Sequence, residues 1–184
     1  MLNFIIFEME LKFNFSQFNY SVLMSIEIKI SLNNGLYLKE PQDSKLGRNI
    51  IKHSILLIDK FGFESFTFKK LAEEINSTEA SIYRYFENKH LLLLFLVNWY
   101  WEWVSYLIGI NTINVEDPKK KLKIIIHSFV YASKENPSVT YVNESKLHGI
   151  VISEGNKTYH TKEVDNENSK GFFKSYKDLA ESVS

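Results

Sequence analysis

The side chains best suited to binding chemistry in this sequence lie in residues 78–90, TEASIYRYFENKH. On a helix beginning at Thr78, the apolar residues Ile82 and Phe86 are four apart and face inward. The outward surface then carries five polar or aromatic side chains: Glu79, Ser81, Tyr83, Arg84 and Tyr85. Hydroxyl and guanidinium groups meet base edges and phosphates in the major groove of DNA. This chemistry predicts a helix that binds double-stranded DNA, the alternative being that these side chains are solvated or pack on a neighbouring helix.

The flanking residues predict three further helices that would hold this segment in place. Ser44 is a suitable N-cap for a first helix, and Gly62 stands where a left-handed residue would end it. Thr67 caps a second helix, and Asn88 caps a fourth that runs to about Ile108. Only a short turn separates the second helix from the third, which is typical of a helix-turn-helix. The N-termini at Thr67 and Asn88 also predict phosphate contacts, because free backbone N–H groups attract anions.

Residues 57–93 resemble the DNA-binding domain of tetracycline-repressor (TetR) family regulators. Nine positions match the family pattern in one unbroken register: Thr67, Leu71, Ala72, Thr78, Ile82, Tyr83, Phe86, Lys89 and Leu92. The resemblance implies that Thr67 and Lys89 hold phosphates. It also implies that Ser81 and Tyr83 contact the DNA backbone and bases, with variable contacts made by Arg84 and Tyr85.

Two residues depart from the family pattern. Asn76 stands where a turn glycine is usual, and asparagine also visits the left-handed region. Glu79 stands where lysine or glutamine is common; its carboxylate suits a helix N-terminus but repels phosphate. In residues 41–90, eight basic side chains against seven acidic ones leave +1, which predicts modest nonspecific affinity and a weak dependence on salt.

Beyond the helix-turn-helix, the resemblance implies an α-helical domain that binds an effector and forms a dimer. Trp99, Trp103 and Tyr106 follow one another along one side of the fourth helix, and His127 and Tyr131 lie on a helix expected to pack nearby. Stacked tryptophans can line a pocket for a small apolar or aromatic effector. More often such rings are plain core.

The last predicted helix, residues 171–184, has an apolar side formed by Phe172, Phe173, Tyr176 and Leu179. Because the family dimerises through two C-terminal helices of each subunit, these four residues are the predicted homodimer contact. Only one such helix is visible, which predicts that the C-terminal domain is incomplete.

Residues before Pro41 predict a short β-hairpin arm. Apolar and polar residues alternate from Ser25 to Leu32, and Asn34-Gly35 supplies turn chemistry. The predicted domains are an uncertain N-terminal extension at residues 1–23 and the arm at residues 24–42. The helix-turn-helix domain follows at residues 43–90, and the helical effector and dimerisation domain at residues 91–184.

Composition argues against several other classes of protein. Because 22 basic and 22 acidic residues give zero formal charge, DNA binding has to come from local geometry. Cysteine is absent, and the sequence contains no glycine-rich phosphate loop, nucleophile elbow or zinc-helix spacing. We therefore expect a protein that is not an enzyme and that uses no cofactor and no metal.

Residues 91–110 are long and apolar enough to cross a bilayer. Asn98, Glu102 and Ser105 form a polar stripe on that helix, which a lone membrane span would leave unsatisfied. The stripe favours a buried helix of a soluble protein over a membrane partner, and a cytoplasmic location follows.

These features predict an all-α fold: a three-helix helix-turn-helix domain, then a helical effector and dimerisation domain, preceded by the β-hairpin arm. The function expected is that of a sequence-specific transcriptional regulator, a ligand-responsive repressor that binds its DNA operator as a homodimer. The alternative is a helical ligand-binding or adaptor protein that has lost DNA binding, which the near-zero local charge and Glu79 favour.

Overall fold

The computed structural model describes residues 28–136 and 139–183, and every regular element within them is helical. Eight α-helices, α1 to α8, follow in chain order: Lys45–Ser65, Phe68–Glu74, Glu79–Tyr83, Lys89–Thr112, Pro118–Tyr131, Glu144–Glu154, Val164–Ser169 and Lys174–Val183. Short 3-10 helices lie at Asn34–Leu36, Pro41–Asp43 and Gly155–Thr158. The predicted all-α class is confirmed.

The predicted β-hairpin arm is wrong for the residues that the structure describes. Residues 28–42 contain no strand, whereas the start of the arm and the predicted extension fall in residues 1–27, outside the described chain. The turn residues form the 3-10 helix Asn34–Leu36, in which Asn33 Oδ1 accepts the Gly35 N–H at 2.8 Å. This segment packs on α4 instead of on a second strand, so the alternating pattern has no partner to pair with.

The chain divides into two compact units. The larger unit, Lys29–Glu135 with Tyr141–Ser184, contains the eight described α-helices. Of the smaller unit, Met1–Ile28 with Asn136–Thr140, the structure describes four residues: Ile28, Asn136, Val139 and Thr140. The helix-turn-helix segment and the helices that follow it therefore belong to the same unit.

Helix starts follow the capping residues in the sequence. Ser44 Oγ accepts the Gly47 N–H at 3.0 Å and begins α1. Thr67, Thr78 and Asn88 likewise cap α2, α3 and α4, which confirms the predicted starts.

A break inside α1 is fixed by Gly62. Its φ of 75° and ψ of 160° lie outside the helical region and in the left-handed half that favours glycine. The helix resumes after this residue and ends at Ser65, so the predicted end at Gly62 appears as a kink followed by a short turn.

Helix α4 forms the core of the larger unit and packs against α5, α6 and α8. Being apolar on nearly every side, it is buried on nearly every side. By length and composition it could cross a membrane, but 72% of its most apolar stretch is buried inside the protein, as in a core helix. Of the predicted polar stripe, Asn98 is buried and donates its side-chain N–H to the Leu94 carbonyl oxygen at 2.8 Å.

A hydrogen bond joins α4 to α6 through Tyr100, whose hydroxyl lies 2.7 Å from His148 Nδ1. Burial raises the pKa of Tyr100 from 10 to about 12. The folded protein therefore binds the phenolic proton more tightly than the unfolded chain does. Stability from this residue is complete below pH 10 and falls as the pH rises through about 12.

Replacing Tyr100 with phenylalanine should remove this alkaline loss, which amounts to about 2–3 kcal/mol between the two pKa values. Urea unfolding at pH 9 and at increasing alkaline pH measures it, as the difference in free energy of unfolding between wild type and variant. Tyr106→Phe, at a more exposed tyrosine, is the control and should track wild type. Parallel curves for wild type and Tyr100→Phe would contradict the assignment.

Candidate nucleic-acid interface

The turn between α2 and α3 is closed by two backbone hydrogen bonds. The Asn76 N–H donates to the Glu73 carbonyl oxygen at 3.3 Å, and the Ser77 N–H donates to the Ala72 carbonyl oxygen at 2.9 Å. Asn76 has a φ of 50°, as the left-handed residue of this helix-ending motif must. The asparagine thus serves the role for which a glycine is usual, as the sequence predicted.

The inner side of this helix pair is formed mainly by apolar side chains. Leu71 of α2 and Ile82 of α3 are fully buried, and so is Phe86, which follows α3. The Phe86 ring meets the Phe95 ring of α4 edge to face, with centroids 5.3 Å apart. These contacts hold α3 against α4, so the predicted inward face of the segment is confirmed.

A hydrogen-bonded row of polar side chains lies on the outer side of α3. Thr78 Oγ1 and Ser81 Oγ are 2.9 Å apart, and Arg84 Nη2 donates to Ser81 Oγ at 3.2 Å. This bond takes one of the five N–H donors of the guanidinium. The Tyr83 side chain stands beside the row, 48% exposed, with its ring against the edge of Phe68 at 5.0 Å between centroids.

The remaining predicted contact residues on α2 and α3 are at the surface. Thr67 is exposed, and its Oγ1 accepts the Lys70 N–H at 3.2 Å. Glu79 is exposed in the first turn of α3, where its carboxylate suits the helix N-terminus. The DNA contacts assigned to these residues, and to Thr78, Ser81, Tyr83 and Arg84, stay predictions.

The predicted DNA contact of Tyr85 is corrected by the structure, because the side chain of this residue is only 4% exposed. Its hydroxyl lies 2.8 Å from Ser44 Oγ at the start of α1, and its carbonyl oxygen accepts the Leu38 N–H at 2.8 Å. This burial follows from the helical spacing, because Tyr85 comes three residues after Ile82 and so lies on the same inward face.

Lys89 also differs from its predicted role as a phosphate ligand. Its Nζ donates to the carbonyl oxygens of Phe63, Glu64 and Phe66, at 3.2, 3.2 and 3.3 Å. All three ammonium protons are therefore directed at the end of α1. The match to the family pattern identified Lys89 but could not predict its hydrogen-bond acceptors, because these carbonyl oxygens lie more than twenty residues away in sequence.

The aromatic residues predicted to line an effector pocket are partly brought together. The Trp99 and Trp103 rings are stacked 5.9 Å apart between centroids, and Tyr106 stacks on Trp103 at 5.6 Å. Both tryptophans are buried, and neither indole N–H has a hydrogen-bond acceptor among the described residues. His127 and Tyr131 are half-buried on α5, which packs against α4.

The predicted dimer contact is wrong for three of its four residues. Phe172, Phe173 and Leu179 are between 4% and 6% exposed, because the apolar side of this segment is buried within its own chain. α8 packs on α4, and the Phe173 ring lies 4.8 Å from the ring of Tyr159. Tyr176 alone of the four is exposed, with its ring 5.4 Å from that of Trp101.

One contact between the helix-turn-helix and the C-terminal helices could not be read from the sequence. His90 Nε2 lies 2.8 Å from Oε1 of Glu167, which is buried at the start of α7. In the described residues, no three His, Asp or Glu side chains cluster in a way that could hold a metal ion.

Two short helices at a tight turn, with an apolar inner face and a polar outer row, form a helix-turn-helix, the arrangement that many DNA-binding proteins use. Residues 50–94 match the bacterial regulatory proteins of the tetR family. These residues, which include α2, α3 and the start of α4, thus form a helix-turn-helix domain of the tetR type. Comparison with curated proteins and with solved structures gives no match.

Proposed function

We propose that this protein is a transcriptional regulator of the tetR family, a cytoplasmic repressor that binds a specific DNA operator as a homodimer and responds to a small ligand. The observation that carries the proposal is the hydrogen-bonded row Thr78–Ser81–Arg84 beside the exposed ring of Tyr83. These groups are held in fixed positions on the outside of an α-helix, an element that the major groove is wide enough to admit.

Each side chain in this surface suits a different part of the duplex. The Arg84 guanidinium can donate two parallel hydrogen bonds to guanine O6 and N7. The Tyr83 ring can pack on a thymine methyl while its hydroxyl reaches a phosphate. Glu79 would repel phosphate but can accept a hydrogen bond from a cytosine amine, which favours reading of bases over nonspecific binding.

The dimer is proposed from the geometry of DNA. Two recognition helices reach successive major grooves only when they are about 34 Å apart, roughly one helical turn. With Phe172, Phe173 and Leu179 buried in the chain, the contact between subunits has to use other residues. The expected footprint is a pair of inverted half-sites, and sedimentation velocity measures the stoichiometry on DNA.

The proposed effector is a small apolar or aromatic molecule bound near the stacked rings of α4. Burying an indole N–H without an acceptor costs roughly 1–3 kcal/mol, and two such groups lie side by side at Trp99 and Trp103. A planar ligand with a carbonyl or carboxylate oxygen would satisfy them. Since α4 also packs on Phe86 through Phe95, a ligand there would act on the helix that supports α3.

Selection of bound fragments from a pool of random duplexes tests the DNA proposal. We expect the wild-type chain to enrich one sequence, and Tyr83→Ala to bind it roughly 5- to 150-fold more weakly, the range for loss of one good base contact. Leu122→Ala is the matched control, since Leu122 is 50% exposed on α5. Unchanged affinity for Tyr83→Ala would contradict the assigned contact.

The second candidate function is that of a helical ligand-binding or adaptor protein without DNA binding. The engagement of Lys89 by three carbonyl oxygens favours it, because this amine is not open to phosphate. Enrichment of no sequence at low salt, where electrostatic binding is strongest, would favour this candidate over the repressor.

A further inference from the structure

The kink at Gly62 leaves a backbone group without its helical partner. In an unbroken helix the Phe63 N–H would donate to the carbonyl oxygen of Asp59, four residues earlier. The non-helical dihedral angles of Gly62 turn this N–H away from the helix axis. It donates instead to Oε1 of Glu154, the last residue of α6, at 3.1 Å.

The carbonyl oxygen of the same residue is held from another direction. Lys89 Nζ, at the start of α4, donates to the Phe63 carbonyl oxygen at 3.2 Å and lies 4.8 Å from the centre of the Phe63 ring. Both polar backbone groups of Phe63 are thus bound by charged side chains from outside α1. Its own side chain is buried, so this residue is fixed on every side.

The second oxygen of Glu154 extends the contact to a lysine. Lys157 Nζ lies 2.7 Å from Glu154 Oε2 and 2.9 Å from Glu64 Oε1. The hydrogen bonds to Glu154 and then to Glu64 raise the pKa of Lys157. The Glu154 side chain is only 14% exposed, whereas that of Glu64 is 76% exposed, so the inner carboxylate makes the better protected contacts.

The position of these contacts gives them a bearing on DNA binding. Phe63 lies four residues before Thr67, the N-cap of α2, so its orientation sets the direction in which the helix-turn-helix leaves α1. Glu154 belongs to α6, which packs on both α1 and α4. The carboxylate therefore ties the exit of the helix-turn-helix to helices of the C-terminal half.

We propose that Glu154 is a positioning residue for DNA binding: by accepting the Phe63 N–H, it holds the helix-turn-helix at the angle needed to enter the groove. The role rests on the proposed function, because it acts on operator affinity. Without this acceptor the kink samples other orientations, and the apparent affinity is multiplied by the fraction of molecules that stays competent to bind.

Glu154→Ala should weaken binding to the selected duplex at least about tenfold, because nine tenths or more of the molecules would then hold a wrong orientation. Glu154→Gln keeps an acceptor oxygen and should stay within about threefold of wild type, as should Lys157→Ala, which leaves the Phe63 bond intact. Glu181→Ala, an exposed glutamate on α8, is the control for loss of a carboxylate.

Amide hydrogen exchange of Phe63, followed by NMR on the full chain without DNA, supplies a readout independent of the operator. We expect exchange at Phe63 to rise about tenfold or more in Glu154→Ala, since the N–H loses a charged acceptor. Amides of α5 should keep their wild-type rates, which shows that the variant remains folded.

Four outcomes would overturn the role of Glu154. Equal operator affinity for wild type and Glu154→Ala removes the positioning role and leaves the proposed function intact. A loss as large in Glu154→Gln as in Glu154→Ala, or unchanged exchange at Phe63, removes the hydrogen bond as its cause. A wild-type chain that enriches no duplex overturns the proposed function, and the positioning role with it.

Discussion

Arg84→Ala is expected to reduce affinity for the selected operator by roughly 5- to 150-fold, corresponding to about 1–3 kcal/mol. Arg84 is exposed at the end of α3, and its hydrogen bond to Ser81 Oγ at 3.2 Å orients the guanidinium along the polar row. Pre-orientation lowers the entropy lost on binding, so a truncated side chain removes both the contact and this advantage.

Electrophoretic mobility shift at fixed salt measures the change, and two variants separate its causes. Arg84→Lys keeps the charge but cannot donate a parallel pair of hydrogen bonds, so it should lose most of the base preference while retaining nonspecific binding. Lys119→Ala removes one exposed charge on α5 and should leave the affinity unchanged. Equal binding by wild type and Arg84→Ala would place the recognition surface elsewhere.

Phe86→Ala is expected to lower the free energy of unfolding by about 3–5 kcal/mol. The Phe86 ring is fully buried and meets Phe95 edge to face, so its removal leaves a cavity between α3 and α4. Because small proteins have a free energy of unfolding of only about 5–15 kcal/mol, this single change would remove a large share of that stability.

Urea denaturation followed by circular dichroism measures the loss. Phe61→Ala is the matched control, since Phe61 is 49% exposed on α1 and should cost less than about 1 kcal/mol. A Phe86→Ala variant as stable as the Phe61→Ala variant would show that the ring is not part of the core.

Local signals were sufficient to predict most of the helix-turn-helix. The caps Thr67, Thr78 and Asn88 mark the starts of three helices because each accepts a backbone N–H within its own first turn. Asn76 marks the turn because few residue types tolerate a positive φ. Such interactions involve residues three or four apart and are therefore legible in the sequence.

Contacts between distant residues could not be predicted in the same way. Lys89 is held by carbonyl oxygens more than twenty positions earlier, and Glu154 reaches Phe63 across ninety-one positions. The sequence pattern shows that a side chain is polar but not which backbone group it meets. The predicted dimer contact of Phe172 and Leu179 failed for a related reason, because the sequence of an apolar helix face is the same whether its own chain or a second subunit covers it.

Helix α4 serves two parts of the protein at once, since its first turns support Phe86 and its middle holds the stacked tryptophans. A fragment ending near His90 would expose the inner side of α3 to water and lose its hydrophobic backing. We therefore expect that the helix-turn-helix domain does not fold on its own without α4. Substitutions of Trp99 or Trp103 should instead weaken the proposed operator binding indirectly, because they lower the stability of a helix that also supports α3.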